Sequence, residues 1–152
     1  MMRLRLVSAA LFGVLIFSAA ALAAEPEASY PDPRRFAVDI AAFMAQDQVA
    51  LPPENAVLCI GSSSLRFWHD TISDDLQPLT LIPRGFGGST MLDVLYYSAQ
   101  IVVPYRPRAI LLYEGDNDID FGVSPARFLV TVRQFLEVVQ ATRPDTRIYI
   151  VA

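Results

Sequence analysis

Three short stretches carry most of the residues able to do chemistry: GSSS at 61–64, RGFGGST at 84–90 and EGDND at 114–118. Each follows directly on an apolar run. A serine hydroxyl at a strand-to-helix turn is exposed, and its own N–H points outward at the start of the helix. A glycine-rich turn lets backbone N–H groups approach a bound group closely. Asn117 supplies a further amide donor. One hydroxyl nucleophile plus two or three donors aimed at one point can attack a carbonyl and hold the resulting oxyanion, which is the chemistry of acyl transfer. Three serines after a strand also suit plain helix capping, and the first stretch alone does not say which of the three would react.

These stretches need elements to bring them together. Four apolar runs read as strands: 56–60, 79–82 (broken by Pro83), 108–113 and 147–152. Helical spacing of Phe36, Ile40, Phe43 and Met44 predicts a helix from Pro33 to about Gln48. A second helix begins among the serines and carries Leu65 to Trp68. A third is expected over roughly Thr90–Val103, capped by Ser89 and ended by Pro104 and Pro107. A fourth starts at Ser124-Pro125, with Phe128, Val132, Phe135, Leu136 and Val139 on its buried face. The acidic stretches through Asp74 and Asp75 and over 114–120 read as loops. Apolar strands alternating with helices imply one α/β domain built on a parallel sheet covered on both faces. In such sheets ligands bind outside the carboxyl ends of the strands. All three stretches leave such ends, so they are expected to meet on one edge.

Other readings of the same residues fit less well. GFGGST lacks the third glycine of a dinucleotide-binding turn, where Thr90 stands, and no lysine follows for a P-loop. Asp116, Asp118 and Asp120 alternate like a calcium loop, but the glycine comes one position late at Gly122 and Arg127 replaces the bidentate glutamate. Residues 61–65 are not a Gly-x-Ser-x-Gly elbow, because Leu65 takes the last position. Phe67, Trp68, Tyr96 and Tyr97 read as packing residues. All 12 basic residues are arginine, spread among 16 acids without a basic cluster, which argues against nucleic-acid binding. Cys59, the only cysteine, reads as a small buried core residue with no disulfide partner.

In this order and at this spacing, IGSSSLRFW, RGFGGST and YEGDND resemble the SGNH (GDSL-type) hydrolase superfamily. The resemblance covers roughly residues 55–152 and is closest to exported bacterial members and to the catalytic subunits of platelet-activating-factor acetylhydrolase. It implies a flavodoxin-like three-layer α/β/α sandwich, incomplete at the C-terminus. It also implies a serine esterase or acylhydrolase acting on a small-molecule or glycan ester, with no cofactor and no metal. The Gly-Asp-Ser-Leu block laid on residues 61–64 makes Ser63 the nucleophile, with Gly61 supporting it and Ser62 in the aspartate position. The Asn-x-Gly-x-x-Gly block makes Gly88 a backbone oxyanion donor, with Gly85 and Gly87 shaping the turn, although Pro83 stands where the family has asparagine. The Gly-x-Asn-Asp block makes Asn117 the side-chain oxyanion donor and Asp118 a supporting residue. The family's Asp-x-x-His block is missing, and its acid and base are expected beyond residue 152. The only histidine, His69, follows Ser63 by six positions, roughly 9 Å along a helix axis and on another face; it reads as a surface residue. The chain is therefore expected to be a C-terminally truncated hydrolase, inactive alone. The alternative is a non-catalytic ligand- or carbohydrate-binding module, or an inactive fragment of the same fold.

The N-terminus reads separately. Arg3 and Arg5 precede the uncharged stretch 6–24, and Ala21-Leu22-Ala23 fits a small-x-small cleavage site. Residues 1–23 are thus expected to be a signal peptide, 24–32 a leader and 33–152 the hydrolase domain. The expected location is the periplasm or the exterior of the cell, with no membrane attachment after cleavage. Cleavage lowers the net charge from −4 to about −6.

Overall fold

The computed structural model describes residues 29–151. The expected signal peptide and most of the leader lie outside the described residues. Four strands, β1 (Val57–Gly61), β2 (Leu81–Gly85), β3 (Ala109–Tyr113) and β4 (Arg147–Val151), form one parallel sheet in the order β2-β1-β3-β4. The helices are α1 (Ala37–Val49), α2 (Ser63–Trp68), α3 (Ile72–Asp75), α4 (Met91–Ile101), α5 (Asp116–Asp120) and α6 (Pro125–Thr142). A 3₁₀ turn over Pro33–Phe36 leads into α1, with the Asp32 side chain capping it.

The two-residue period of the strands sorts their side chains into two cores. Leu58, Ile60, Ile82, Ile110 and Leu112 face the larger one, filled by Phe36 and by residues of α1, α4 and α6. Val57, Cys59 and Ala109 face the smaller one, closed by Leu65 of α2 and Ile72 of α3. Every residue of β1 is buried, as in a parallel strand covered on both sides. Full burial of a side chain such as Leu58 or Ile60 is worth about 1.5–3 kcal/mol. The fold is a parallel sheet covered on both faces, as the strand–helix alternation implies, and so the α/β/α sandwich that the resemblance implies. The smaller core leaves a cleft of about 520 Å³ between Val57, Cys59, Leu76, Leu111, Arg147 and Tyr149. Cys59 is buried and unpaired, and burial pushes its thiol up to about 11.

Several expectations need correction. β2 is not broken by Pro83 but runs through it to Gly85. It is an edge strand, and an edge tolerates a residue without an N–H. Ser89 does not cap α4. Thr90 does, in a capping box with Asp93. α4 stops at Ile101, and Pro104 is taken into a 3₁₀ turn, Val103–Tyr105. The two acidic stretches are not loops throughout, since each contains a short helix, α3 and α5. In α3 the Asp75 carboxylate gathers the Trp68 and Thr71 side chains. Phe67 and Tyr96 are not packing residues, being 84% and 53% exposed, whereas Tyr97 is buried. Met44 is also exposed, because the buried stripe of α1 is confined to Ile40 and Phe43.

Candidate active site

Strand register positions the three polar stretches. Gly61 pairs with Gly85 on one side and Tyr113 on the other, so all three stretches leave the sheet at one height. β1 lies between strands reached by connections over opposite faces, through α2 and α3 on one side and α4 on the other. That is the switch point where open α/β sheets form a crevice. Two glycines make the convergence close. A Cβ on Gly61, whose φ is 139°, would fall 2.1 Å from the Tyr113 carbonyl oxygen. A Cβ on Gly85 would fall 2.4 Å from the Arg66 backbone nitrogen, so the backbone of α2 rests directly on the end of β2.

The three serines occupy three different environments. Ser62 is fully buried at the N-cap of α2, yet its hydroxyl does not cap the helix. It accepts a hydrogen bond from Asn117 Nδ2 at 2.5 Å. Ser63 is the first residue of α2 and is partly exposed. Among the described residues its hydroxyl has no hydrogen-bond partner, and its N–H is one of the orphan donors of a helix start. Ser64 is exposed. Gly87 lies against Ser63, where an added Cβ would be 3.9 Å from the serine Cα and Cβ. Gly88 has φ 85° with open space on its Cβ side, and its carbonyl accepts from Arg35 at 3.2 Å. Asn117 also donates to the Ser89 carbonyl at 2.8 Å. Its amide thus ties the end of β1 to the glycine turn, and both of its N–H groups are engaged.

The acids below this edge are buried. Asp118 accepts from the Met91 N–H at 3.1 and 3.2 Å, fastening α5 to the start of α4. Asp93 accepts from the Thr90 N–H and hydroxyl, each at 2.8 Å, and from Arg35 at 2.6 Å. Burial raises both carboxyls above the ordinary range, against the pull of these donors. Glu114, fully buried, accepts from the Ser89 hydroxyl at 2.5 Å. Sequence reasoning assigned no role to Glu114 or Arg35 and took Ser89 only as a helix cap. Glu114 was legible in part, because it continues the alternation of Ile110 and Leu112 into the larger core.

His69 is not a surface residue. It is half-buried, and its Nε2 accepts a hydrogen bond from the Gly85 N–H at 2.8 Å. Burial, then Arg66 and Arg84, lower its pKa. An imidazole nitrogen already holding a backbone proton is not placed to take one from Ser63.

The sequence matches no protein-family profile and no curated protein sequence. Solved structures do match. A Streptococcus pneumonia protein provisionally described as a platelet activating factor superposes with TM-score 0.65 at 20% identity, over 75% of this chain and 52% of its own. A GDSL-like lipase from Bacteroides thetaiotaomicron gives TM-score 0.60 at 19% identity, over 78% and 57%. An acetyl xylan esterase gives 0.51 at 17% identity, over 62% and 56%. This chain therefore has the α/β/α fold of the SGNH (GDSL-type) hydrolases. It spans little more than half the length of these structures.

Proposed function

We propose that these residues form the nucleophile-bearing part of a serine esterase or acylhydrolase that cleaves a carboxylic ester of a small molecule or glycan. One observation carries the reading: the level pairing of Gly61, Gly85 and Tyr113 brings a serine hydroxyl without a partner among the described residues, a glycine turn and an asparagine amide to one sheet edge. Ser63 Oγ attacks the acyl carbonyl while its proton passes to a base. The carbonyl oxygen becomes an oxyanion and accepts from the Ser63 and Gly88 N–H groups and from Asn117. The Asn117 N–H that rests on Ser62 Oγ is the one that shifts, since an oxyanion is a stronger acceptor than a neutral hydroxyl. The C–O bond to the alcohol then breaks, the base protonates the alkoxide, and water releases the acid from Ser63 by the same route. A donor of this kind is worth about 3–4 kcal/mol in the transition state.

His69 is committed to Gly85, and the resemblance to the SGNH hydrolases implies that the base and its orienting acid are an Asp-x-x-His pair beyond residue 152. The matched structures are long enough to hold such a segment. The likeness to an acetyl xylan esterase makes acetylated polysaccharide the first natural substrate to try. Residues 1–23 support export to the periplasm or beyond. The test is hydrolysis of p-nitrophenyl acetate and acetylated xylan by the complete protein and its Ser63→Ala variant. Loss of turnover in the variant is expected, and undiminished turnover refutes the assignment. Residues 1–152 alone are expected to show little turnover; robust activity refutes the need for a base outside them.

A further inference from the structure

Glu114 is a buried acid that the proposed reaction does not use. It stands where β3 ends, directly before Gly115, and is 0% exposed. Its Oε1 accepts from the Ser89 hydroxyl at 2.5 Å, while Oε2 has no partner among the described residues. Ser89, also fully buried, is two-ended: its hydroxyl goes to Glu114 and its carbonyl receives Asn117 Nδ2 at 2.8 Å. Glu114 is therefore one residue away from the amide that holds the oxyanion.

We propose that Glu114 is a positioning residue: it anchors the Ser89 hydroxyl, through the Ser89 carbonyl it fixes the Asn117 amide, and it acts as a hydrogen-bond acceptor, not as a charge. This rests on the reading of Asn117 as an oxyanion donor. The surroundings disfavour a charge, since the carboxyl is fully buried and Oε2 has no partner among the described residues. Asp118, Asp116 and Asp93 act on the carboxyl, the Arg35 guanidinium is bonded to Asp93 and the Gly88 carbonyl, and Arg127 lies further off against the Tyr30 ring. Burial pushes the Glu114 carboxyl well above the ordinary range, and those three acids push it further. A neutral carboxyl still accepts from Ser89 through one oxygen and carries its proton on the other. An unanchored Ser89 would let the glycine turn move, and the Asn117 amide would lose the carbonyl that sets its plane.

The two side-chain amide protons of Asn117 report this directly in ¹H–¹⁵N spectra of the 152-residue chain, without any need for turnover. Glu114→Gln keeps the acceptor and the shape and removes the charge. Glu114→Leu fills the space with no acceptor. Ser89→Ala removes the donor and serves if Glu114→Leu does not fold. Glu114→Gln is expected to retain the wild-type amide signals. Glu114→Leu and Ser89→Ala are expected to exchange the Asn117 amide protons roughly tenfold faster, the factor equal to about 1.4 kcal/mol and to one hydrogen bond. A folded Glu114→Leu or Ser89→Ala variant with wild-type Asn117 signals overturns the proposal. So does a Glu114→Gln variant that behaves like Glu114→Leu, since the carboxyl would then act as a charge. If Ser63→Ala retains turnover, the esterase reading falls while the amide result stands independently.

Discussion

Gly85 is the point where the sheet touches the backbone of the helix carrying Ser63, and a methyl group there has nowhere to go. The added Cβ would meet Arg66 N at 2.4 Å, Leu65 C at 2.7 Å and Arg66 Cα at 3.0 Å, all backbone atoms. Carbon contacts settle near 3.5–4.0 Å, so α2 must withdraw from β2 by about 1 Å. Gly85 does not have a positive φ, so alanine meets no conformational strain of its own and the whole effect is steric. Overpacking typically costs about 1–3 kcal/mol, and the upper end is expected when rigid backbone stands on both sides. The Gly85 N–H bond to His69 would be disturbed by the same movement. Gly87→Ala is the control, because its Cβ would lie at an ordinary 3.9 Å from Ser63 and its φ is not positive. Its effect on stability is expected to stay within about 0.5 kcal/mol. Urea unfolding of the 152-residue chain, followed by circular dichroism, separates the two. With a slope of about 1–3 kcal/mol/M, a loss near 3 kcal/mol lowers the Gly85→Ala midpoint by 1 M or more. Equal midpoints for the two alanine variants would refute the packing argument.

Three further outcomes are expected. His69 has a folded pKa below its unfolded value, so its contribution is complete above about pH 6.5 and is lost as pH falls through the folded pKa. The stability gap between wild type and His69→Ala should shrink between pH 7.5 and 5, and a constant gap would contradict the lowered pKa that burial gives His69. Asp47 holds both the buried Arg84 guanidinium and the Tyr105 hydroxyl. Asp47→Ala leaves that cation buried without its carboxylate and should cost about 3 kcal/mol in denaturant unfolding; a loss under about 1 kcal/mol would mean the pair contributes little. Cys59, 1% exposed with its thiol pushed up to about 11, should resist a thiol reagent such as DTNB at pH 8 until the chain unfolds. Rapid labelling of the folded protein would show that the smaller core opens readily.

The parts of the fold that were legible in the sequence are those set by local pattern. Continuous apolar runs gave β1, β3 and β4 nearly to the residue, and the Ser124-Pro125 start gave α6. What pattern could not supply is neighbourhood. Pro83 breaks a strand only if both sides of the strand need partners, and whether β2 is an edge depends on sheet order. By type serine is the better cap, yet the role fell to Thr90 because the Ser89 hydroxyl is drawn away by Glu114, 25 positions on. His69 looked like a surface residue because its partner is a backbone N–H, which no side-chain pattern announces. At the candidate site, the resemblance separated Ser63 from its neighbours, and the structure adds that the three hydroxyls differ in burial and partners. It also adds that both Asn117 N–H groups are engaged, a constraint invisible in the motif.

The margin of the sheet at β2 is built against pairing with a further strand. β2 has Pro83 on its margin, without an N–H to offer, and the Pro83 carbonyl is already taken by Arg84 at 2.8 Å. Pairing through the margin of β2 is therefore blunted, and a second copy cannot readily extend the sheet from that side.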